Sequence, residues 1–206
     1  MIMGFAFSYL QLELTESEVT DTDADLLDDR RGGSVYLRLT TRRVEQFERE
    51  IDDTLTSEII DGGYWLVPPK SSCSVVIAYI GAVVPQVIES CDELNRRSPG
   101  STAVLAITSA DRLHRGWIQA QRVRRRGSRT CRAQIEKLLS AIGSSVRIVT
   151  ITDGHPSVLT WLGAVAGHRV CGLGVDRYGE SGTLTELYQA YRLDAQSILS
   201  ASLDSS

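Results

Sequence analysis

Lysine, histidine and closely spaced cysteines are scarce in this sequence. Its 206 residues include 3 histidines and 4 cysteines, and lysine occurs only twice. No two cysteines form a Cys-x-x-Cys pair, which argues against a structural zinc site, and so scattered a set does not suit a disulfide framework. Because free cysteine packs as a small hydrophobe, we predict buried thiols in a reducing compartment. These are Cys73, Cys91, Cys131 and Cys171.

A long hydrophobic run and a basic leader are also absent. No stretch of eighteen apolar residues occurs, so no membrane span is expected. The apolar start, MIMGFAFSYLQLEL, has neither a basic leader nor a small-residue cleavage site, which argues against a secretory signal. These features predict a cytoplasmic protein.

Composition and charge are those of an ordinary globular protein. Hydrophobic residues make up 42% of the chain and charged residues 23%, which is enough for a real core. A length of 206 residues holds one medium domain, or one domain and the remnant of another. The formal net charge of −4 argues against a chain that binds nucleic acid over its whole surface.

The first seventy residues have less regular patterns than the rest. The acidic stretch Thr15–Gly33 predicts a hydrated loop, because like charges packed so closely repel one another. Ser34–Thr40 alternates apolar and polar residues like a half-buried strand, and Arg42–Leu55 has the apolar spacing of a helix. A short strand at Tyr64–Val67 is closed by two prolines, so a linker is predicted over residues 61–72.

Strand and helix patterns alternate through the remainder of the chain. Nearly continuous apolar runs predict strands covered on both faces, at Ser74–Ile80, Thr102–Ile107, Val146–Thr152 and Arg169–Gly174. Helices are predicted at Val83–Arg97, Ser109–Arg125, Cys131–Ile142, Ser157–Ala166, Leu184–Tyr191 and Ala195–Leu203. Because parallel neighbours need long crossovers, the alternation predicts an α/β fold of three layers with a mostly parallel sheet of about five strands.

The last part of the chain carries the most specific motif. GLGVDRYGESGTLTELYQAYRLDAQSI (Gly172–Ile198) combines a glycine-led strand end, an aromatic-Gly-x-Ser turn and helices that meet at a Leu-Asp-x-x-x-Ile step. It resembles the carboxy-terminal domain of thiamine-diphosphate enzymes of the transketolase and pyruvate dehydrogenase kind. With Asp176, Tyr178, Gly179 and Ser181, it most resembles the homodimeric decarboxylating component of pyruvate dehydrogenase.

Upstream stretches resemble the same family in the same order. Ser74–Leu94 and Thr102–Trp117 are similar to the first two strand-helix units of its carboxy-terminal domain. Gly32–Arg42 looks like the last strand of its pyrimidine-binding domain, and Gly62–Leu66 like the crossing between the two domains. The resemblance divides the chain into a pyrimidine-domain remnant (1–60), a linker (61–72) and a transketolase-like carboxy-terminal domain (73–206).

The resemblance implies a chemistry that other parts of an intact enzyme perform. There, pyruvate would be decarboxylated on thiamine diphosphate with magnesium, and the acetyl unit passed to lipoamide. The family's Gly-Asp-Gly motif does not occur in this sequence, so no cofactor, metal site or catalytic residue is expected in this chain alone. The implied role is structural and dimerising. The implied partners are a second copy or a chain carrying the cofactor domains, and a lipoyl acyltransferase complex.

The residues of the final motif also have a purely structural interpretation. Gly172 and Gly174 let the strand end approach a neighbouring backbone closely. Gly179 and Gly182 suit a turn that needs positive φ. Ser181 or Thr183 caps the following helix, with Glu186 as the capping-box partner of Thr183. Asp176 and Tyr178 complete the motif.

Two residues are candidates for contact with substrate, although a surface salt bridge for Arg42 and a plain turn residue for His155 are the favoured interpretations. In transketolase an arginine near the end of the strand that Gly32–Arg42 resembles helps to hold the substrate phosphate, and Arg42 takes that place here. His155 follows Asp153-Gly154 at a strand end, where open α/β sheets bind ligands. The other two histidines, His114 on a helix and His168 before a strand, are expected to be solvated.

An arginine cluster is the other conspicuous feature. It comprises Arg112, Arg115, Arg122, Arg124, Arg125, Arg126, Arg129 and Arg132. Such a cluster could bind nucleic acid or an acidic partner, but Trp117 is the only aromatic residue near it in sequence. A solvated helix and loop is therefore the favoured interpretation, and no nucleic-acid partner is expected.

Overall fold

The computed structural model describes residues 50–127, 130–177 and 179–204. All of them belong to the second of the chain's two units, Arg42–Ser206. The predicted loop at Thr15–Gly33, the predicted strand at Ser34–Thr40 and most of the predicted pyrimidine-domain remnant lie outside these ranges.

Five strands and eight helices occur in the described residues. The strands are β1 (Gly63–Val67), β2 (Val75–Ile80), β3 (Thr102–Ile107), β4 (Arg147–Thr152) and β5 (Val170–Leu173). The helices are α1 (Asp53–Ile60), α2 (Val84–Arg97), α3 (Ala110–Arg125), α4 (Gln134–Leu139), α5 (Ser157–Thr160), α6 (Leu162–Ala166), α7 (Leu184–Ala190) and α8 (Ala195–Leu203).

The strands form one sheet in the order β1-β3-β2-β4-β5. β2, β3, β4 and β5 are parallel, and β1 pairs antiparallel with β3 at one edge. This confirms the predicted α/β fold with a mostly parallel sheet of five strands. The range predicted as a linker, 61–72, contains β1 and so contributes a strand to the sheet.

Both faces of the sheet are buried, as the continuous apolar runs predicted. On one face Ala78, Leu105 and Ile148 pack with residues of α3, α4, α5 and α6. On the other face Ile77 and Val104 pack with residues of α2 and α8. The alternation of neighbouring residues between two separate cores produces the predicted three layers. No helix within the described ranges is long and apolar enough to cross a membrane.

Three predicted helices have different limits in the structure. Glu50 and Ile51 are not helical, and α1 begins only at Asp53, because Asp52 adopts an extended conformation and its carboxylate accepts the Leu55 N–H at 2.7 Å. Ala133 is likewise extended, which delays the start of α4 to Gln134.

The helix predicted at Ser157–Ala166 is split into α5 and α6 at Trp161. There the Trp161 indole N–H donates to the Val158 carbonyl at 2.9 Å. A continuous helix would offer that carbonyl to the backbone N–H of Leu162.

Candidate functional site at the carboxyl edge of the sheet

The carboxyl ends of β2 and β4 lie side by side at a topological switch point. The chain leaves β2 to form β3 on one side, whereas β4 pairs with the other side of β2. In open α/β sheets, ligands bind in the crevice outside such a pair of strand ends. The loops that border this crevice begin at Gly81 after β2 and at Asp153 after β4.

The Asp153 carboxylate lies between the two loops at this switch point. Its carboxylate lies where a side chain on Gly81 would project, and the Ala82 backbone N–H donates to Asp153 Oδ2 at 3.5 Å. Gly81 has a φ of 95°, a left-handed conformation that favours glycine. A phosphate group entering here would meet a carboxylate, so the described residues do not fit the diphosphate of thiamine diphosphate at this position.

His155 lies at the same edge but is engaged in a local turn. Its side chain is exposed, and its Nδ1 lies 2.7 Å from Ser157 Oγ and accepts the Ser157 backbone N–H at 3.2 Å. Because Nδ1 accepts, the neutral ring carries its proton on Nε2. Among the residues that the structure describes, no acidic side chain is hydrogen-bonded to this ring, and no group of three His, Cys, Asp or Glu side chains could hold a metal ion.

The end of β5 approaches the loop after β4 very closely. A methyl group on Gly174 would lie 2.6 Å from the Gly154 carbonyl oxygen and 2.8 Å from the Pro156 nitrogen. The Val175 N–H donates to the Gly154 carbonyl at 2.8 Å. Gly174 is therefore required for the close backbone approach that the sequence predicted. Gly172 also lacks room for a side chain, although there the nearest atom is the Thr160 methyl carbon at 2.9 Å.

Exposed residues form the turn that follows β5. Asp176 is 63% exposed and its nearest basic group is Arg177, at 3.6 Å. Gly179 has a φ of 96°, as its place in a turn predicted. Gly182 does not have positive φ, so that prediction was wrong; its α-carbon instead lies beside the Glu186 side chain. Ser181 is exposed.

Thr183, one of the two predicted caps, begins α7. Its hydroxyl accepts the Glu186 N–H at 3.4 Å, and the Glu186 carboxylate accepts the Thr183 N–H at 2.7 Å. These hydrogen bonds lower the pKa of the Glu186 carboxyl. The reciprocal pair is the predicted capping box.

Contacts that were not predicted from the sequence hold the turn to α7. The Arg177 guanidinium donates to the Ala190 carbonyl at 2.9 Å, and the Tyr191 hydroxyl donates to the Arg177 carbonyl at 3.1 Å. The Arg177 guanidinium also lies 5.8 Å from the centre of the Tyr191 ring. The one sequence signal for this contact is that the same motif contains both a cation, Arg177, and an aromatic residue, Tyr191.

The Leu-Asp-x-x-x-Ile step connects α7 to α8. Arg192 has a φ of 58°, and the N–H groups of Arg192 and Leu193 donate to the Gln189 and Tyr188 carbonyls, which is a Schellman ending without the usual glycine. Asp194 then caps α8 by accepting the Ser197 N–H at 3.0 Å.

Both apolar residues of this step are buried, since Leu193 is 2% exposed and Ile198 is fully buried. The step thus reverses the chain and anchors it on the sheet.

The two remaining histidines are less solvated than predicted. His168 is buried, and its Nδ1 donates to the Val146 carbonyl at 2.9 Å, which compensates for the loss of water. His114 is half-buried, with its ring edge towards the Trp161 ring at a centroid distance of 4.9 Å. In both cases the environment comes from residues distant in sequence, which a local pattern does not reveal.

Arg112 and Arg124 of the cluster have structural partners, and Arg112 donates to the Ile60 carbonyl at 3.0 Å. Arg124 makes a bidentate contact with the Glu136 carboxylate at 2.6 and 2.9 Å and also donates to the Cys131 carbonyl at 2.8 Å. This contact holds the pKa of the Glu136 carboxyl below its ordinary value. Arg124 therefore fixes the end of α3 to the start of α4.

The four cysteines are free thiols, as predicted, but only one is fully buried. Cys91 is 2% exposed and burial raises its pKa to about 11. Cys73, Cys131 and Cys171 are half-buried. Of the other predicted site residues, Arg42 and Tyr178 lie outside the described ranges.

Comparison with known proteins gives structural likenesses of low similarity. No protein-family model and no curated protein matches the chain. The solved transketolase from Campylobacter jejuni subsp. jejuni NCTC 11168 aligns with 68% of this chain and 18% of its own at 16% identity and a TM-score of 0.46. Transketolase from Leishmania mexicana aligns with 68% of this chain and 17% of its own at 14% identity and a TM-score of 0.44.

A third solved structure, described as a split gene transketolase in an inactive beta4 tetramer, aligns with 69% of this chain and 41% of its own at 17% identity and a TM-score of 0.48. The chain thus spans less than half the length of each of these three proteins. At these TM-scores the likenesses carry no argument about function.

Proposed function

We propose that this chain is the carboxy-terminal domain of a thiamine-diphosphate-dependent enzyme of the transketolase family, with a structural and dimerising role. The observation that carries the proposal is the Gly172–Ile198 segment. Its sequence resembles that family. In the structure its residues let two backbones approach closely, cap helices and anchor the chain on the sheet. Gly174 permits the approach of two backbones, Thr183 and Asp194 cap helices, and Ile198 is buried against the sheet.

The geometry of the sheet edge supports a role without chemistry of its own. The Asp153 carboxylate lies between the loops that follow β2 and β4, and the His155 ring is held by Ser157 in a local turn. Thiamine diphosphate and magnesium would be held by other domains of the intact enzyme. No step of the reaction is therefore assigned to a described residue.

We further propose which reaction the intact enzyme catalyses. The Asp176, Tyr178-Gly179 and Ser181 form of the turn favours a pyruvate dehydrogenase-like enzyme over a transketolase acting on sugar phosphates. Pyruvate would then be decarboxylated, and a lipoyl acyltransferase would accept the acetyl unit. Arg42 and His155 are the residues of this chain that we propose to contact substrate or the neighbouring domain in that assembly.

Sedimentation equilibrium of the purified chain tests the dimerising role. We expect a dimer at micromolar concentration, because a structural domain of a homodimeric enzyme should carry part of the subunit interface. A chain that remains monomeric at the highest soluble concentration would contradict that role.

Co-expression with a chain that carries a Gly-Asp-Gly motif, if one is encoded beside it, distinguishes a split enzyme from a homodimeric one. A stoichiometric complex that binds thiamine diphosphate only when both chains are present identifies the split form. A cofactor-bearing chain that is fully active by itself would show that this domain is dispensable.

A further inference from the structure

Positive charge is concentrated in one part of this acidic protein. Between residues 112 and 152 the sequence contains ten basic side chains and a single acidic one, Glu136, although the whole chain has a net charge of −4. These residues include α4, the loop before it and α3 from Arg112 onward; the first turn of α3 also contains the acidic Asp111. At physiological ionic strength charges act over about 8 Å, so a partner at this surface experiences the local charge and is little affected by the distant acidic residues.

The single acidic group in this region is already neutralised. Glu136 is held by the bidentate contact with Arg124, and Arg112 donates to the Ile60 carbonyl at 3.0 Å. Arg122, Arg125 and Arg126 are exposed, and no ion pair is found for any of the three within the described ranges. Together with the exposed Arg132, they form what we call the α3–α4 basic surface.

The fold adds aromatic rings to this surface that the sequence does not place there. Trp161, from the junction of α5 and α6, stacks on Trp117 of α3 with ring centroids 5.6 Å apart. His114 packs against both rings, and all three side chains are half-buried. Trp117 precedes Arg125 by eight residues on the same helix, a rise of about 12 Å.

An open groove extends from the arginines towards the α6 helix. Its volume is about 490 Å³, and its lining includes Arg132, the Arg124–Glu136 pair, Ser140, Ser144 and Val165. Neither Trp117 nor Trp161 lines this groove, although Val165 follows Trp161 by four residues. Guanidinium and hydroxyl groups are the donors that commonly contact phosphate oxygens.

We propose that the α3–α4 basic surface, with Trp117 and Trp161, binds single-stranded nucleic acid without sequence preference. Such binding combines a positively charged groove that follows the phosphates with aromatic rings on which bases stack. The aromatic cluster is what favours this partner over an acidic protein, which would use the arginines alone. This differs from the expectation drawn from the sequence, in which Trp117 stood without aromatic neighbours.

Fluorescence anisotropy with a labelled oligothymidylate of about twelve nucleotides tests the electrostatic part, with the intact chain at graded salt concentrations. We expect the logarithm of the binding constant to fall linearly with the logarithm of salt concentration, by about 0.7 per phosphate contact. The double variant Arg125→Ser with Arg126→Ser should bind at least tenfold more weakly at about 50 mM salt, and its slope should be smaller by about 1.4.

The matched control removes the same charge elsewhere. Arg96 and Arg97 are exposed at the end of α2 and contact Glu93, so Arg96→Ser with Arg97→Ser should leave binding and slope nearly unchanged. Circular dichroism spectra of both variants establish that they are folded. Equal weakening by the two double variants would overturn the proposal, because binding would then follow net charge alone.

Intrinsic fluorescence tests the stacking part. The chain has 3 tryptophans, Trp65, Trp117 and Trp161. Unlabelled oligothymidylate should quench the emission of Trp65→Phe as strongly as that of the wild type, and quench Trp161→Phe less. Absence of quenching, or binding of poly-glutamate with equal affinity and the same loss in the Arg125 and Arg126 variant, would overturn nucleic acid as the partner and assign the surface to an acidic protein.

Discussion

Gly174 is a residue whose identity is determined by the backbone around it. It lies at the end of β5, where a Cβ would fall within 3 Å of the Gly154 carbonyl and the Pro156 nitrogen. Both atoms belong to the backbone, so neither can rotate away. Gly116, in the middle of α3, has no atom within 4 Å of the same position and is a matched comparison.

Substitution of these two glycines should therefore have opposite effects. Gly174→Ala should lower the free energy of unfolding by about 1–3 kcal/mol, the usual cost of overpacking. Gly116→Ala should raise it by about 0.5–1 kcal/mol, because alanine favours the helix. Urea denaturation monitored by circular dichroism measures both. A Gly174→Ala variant as stable as the wild type would show that β5 does not pass so close to the β4 loop.

Glu136 gives the protein a pH-dependent contact between α3 and α4. Arg124 lowers the pKa of this carboxyl in the folded chain. The contact therefore stabilises the fold fully above the ordinary carboxyl pKa of about 4.3, and the stabilisation is lost as the pH falls through the lowered value.

The Glu136→Gln variant should have a lower urea midpoint than the wild type at pH 7, and the difference should shrink as the solution is acidified below about pH 4. The exposed Glu89 offers the control Glu89→Gln, for which no such difference is expected. A difference between Glu136→Gln and the wild type that stays constant down to the acid transition would contradict the assigned ion pair.

At the scale of elements, the strands could be predicted from the sequence and several helix limits could not. A strand buried on both faces must be apolar at nearly every position, so β2, β3 and β4 were predicted within one residue of their observed limits. The break at Trp161 depends on a side-chain contact with the Val158 carbonyl. Hydrophobic spacing contains no information about such a contact.

The α7–α8 connection also has one feature that the sequence predicts and one that it does not. The capping role of Thr183 follows from its spacing to Glu186 and was predicted. The left-handed conformation of Arg192 was not, since arginine is not a residue that usually ends helices. Burial of Leu193 and Ile198, which both follow Arg192, compensates for that conformation.

Asp194 should be the most sensitive polar position of this connection. Its carboxylate accepts hydrogen bonds from the Ser197 N–H and hydroxyl at 3.0 and 2.6 Å. Asp194→Ala should lower the free energy of unfolding by about 1 kcal/mol, whereas Asp194→Asn, which retains a good capping group, should cost a few tenths. Thermal or urea unfolding measures both variants. Equal losses would indicate that the charge matters and the cap does not.

At the scale of the whole molecule, the sequence predicted the layers and the sheet but not the surfaces. The alternation of strands and helices required a mostly parallel sheet with helices on both faces, which the structure confirms. The meeting of Trp117 with Trp161, and the approach of Asp153 to the loop after β2, arise from residues far apart in the chain. Such contacts depend on the packing of the elements and cannot be derived from spacing within one of them.

We propose that this domain belongs to a thiamine-diphosphate enzyme but does not bind the cofactor itself. Isothermal titration calorimetry of the purified chain with thiamine diphosphate and magnesium tests it most directly, with a pyruvate decarboxylation assay on the same sample. We expect no saturable heat and no turnover, since the sequence has no Gly-Asp-Gly motif and the switch point presents the Asp153 carboxylate. Saturable binding in the micromolar range together with turnover by this chain alone would contradict the account.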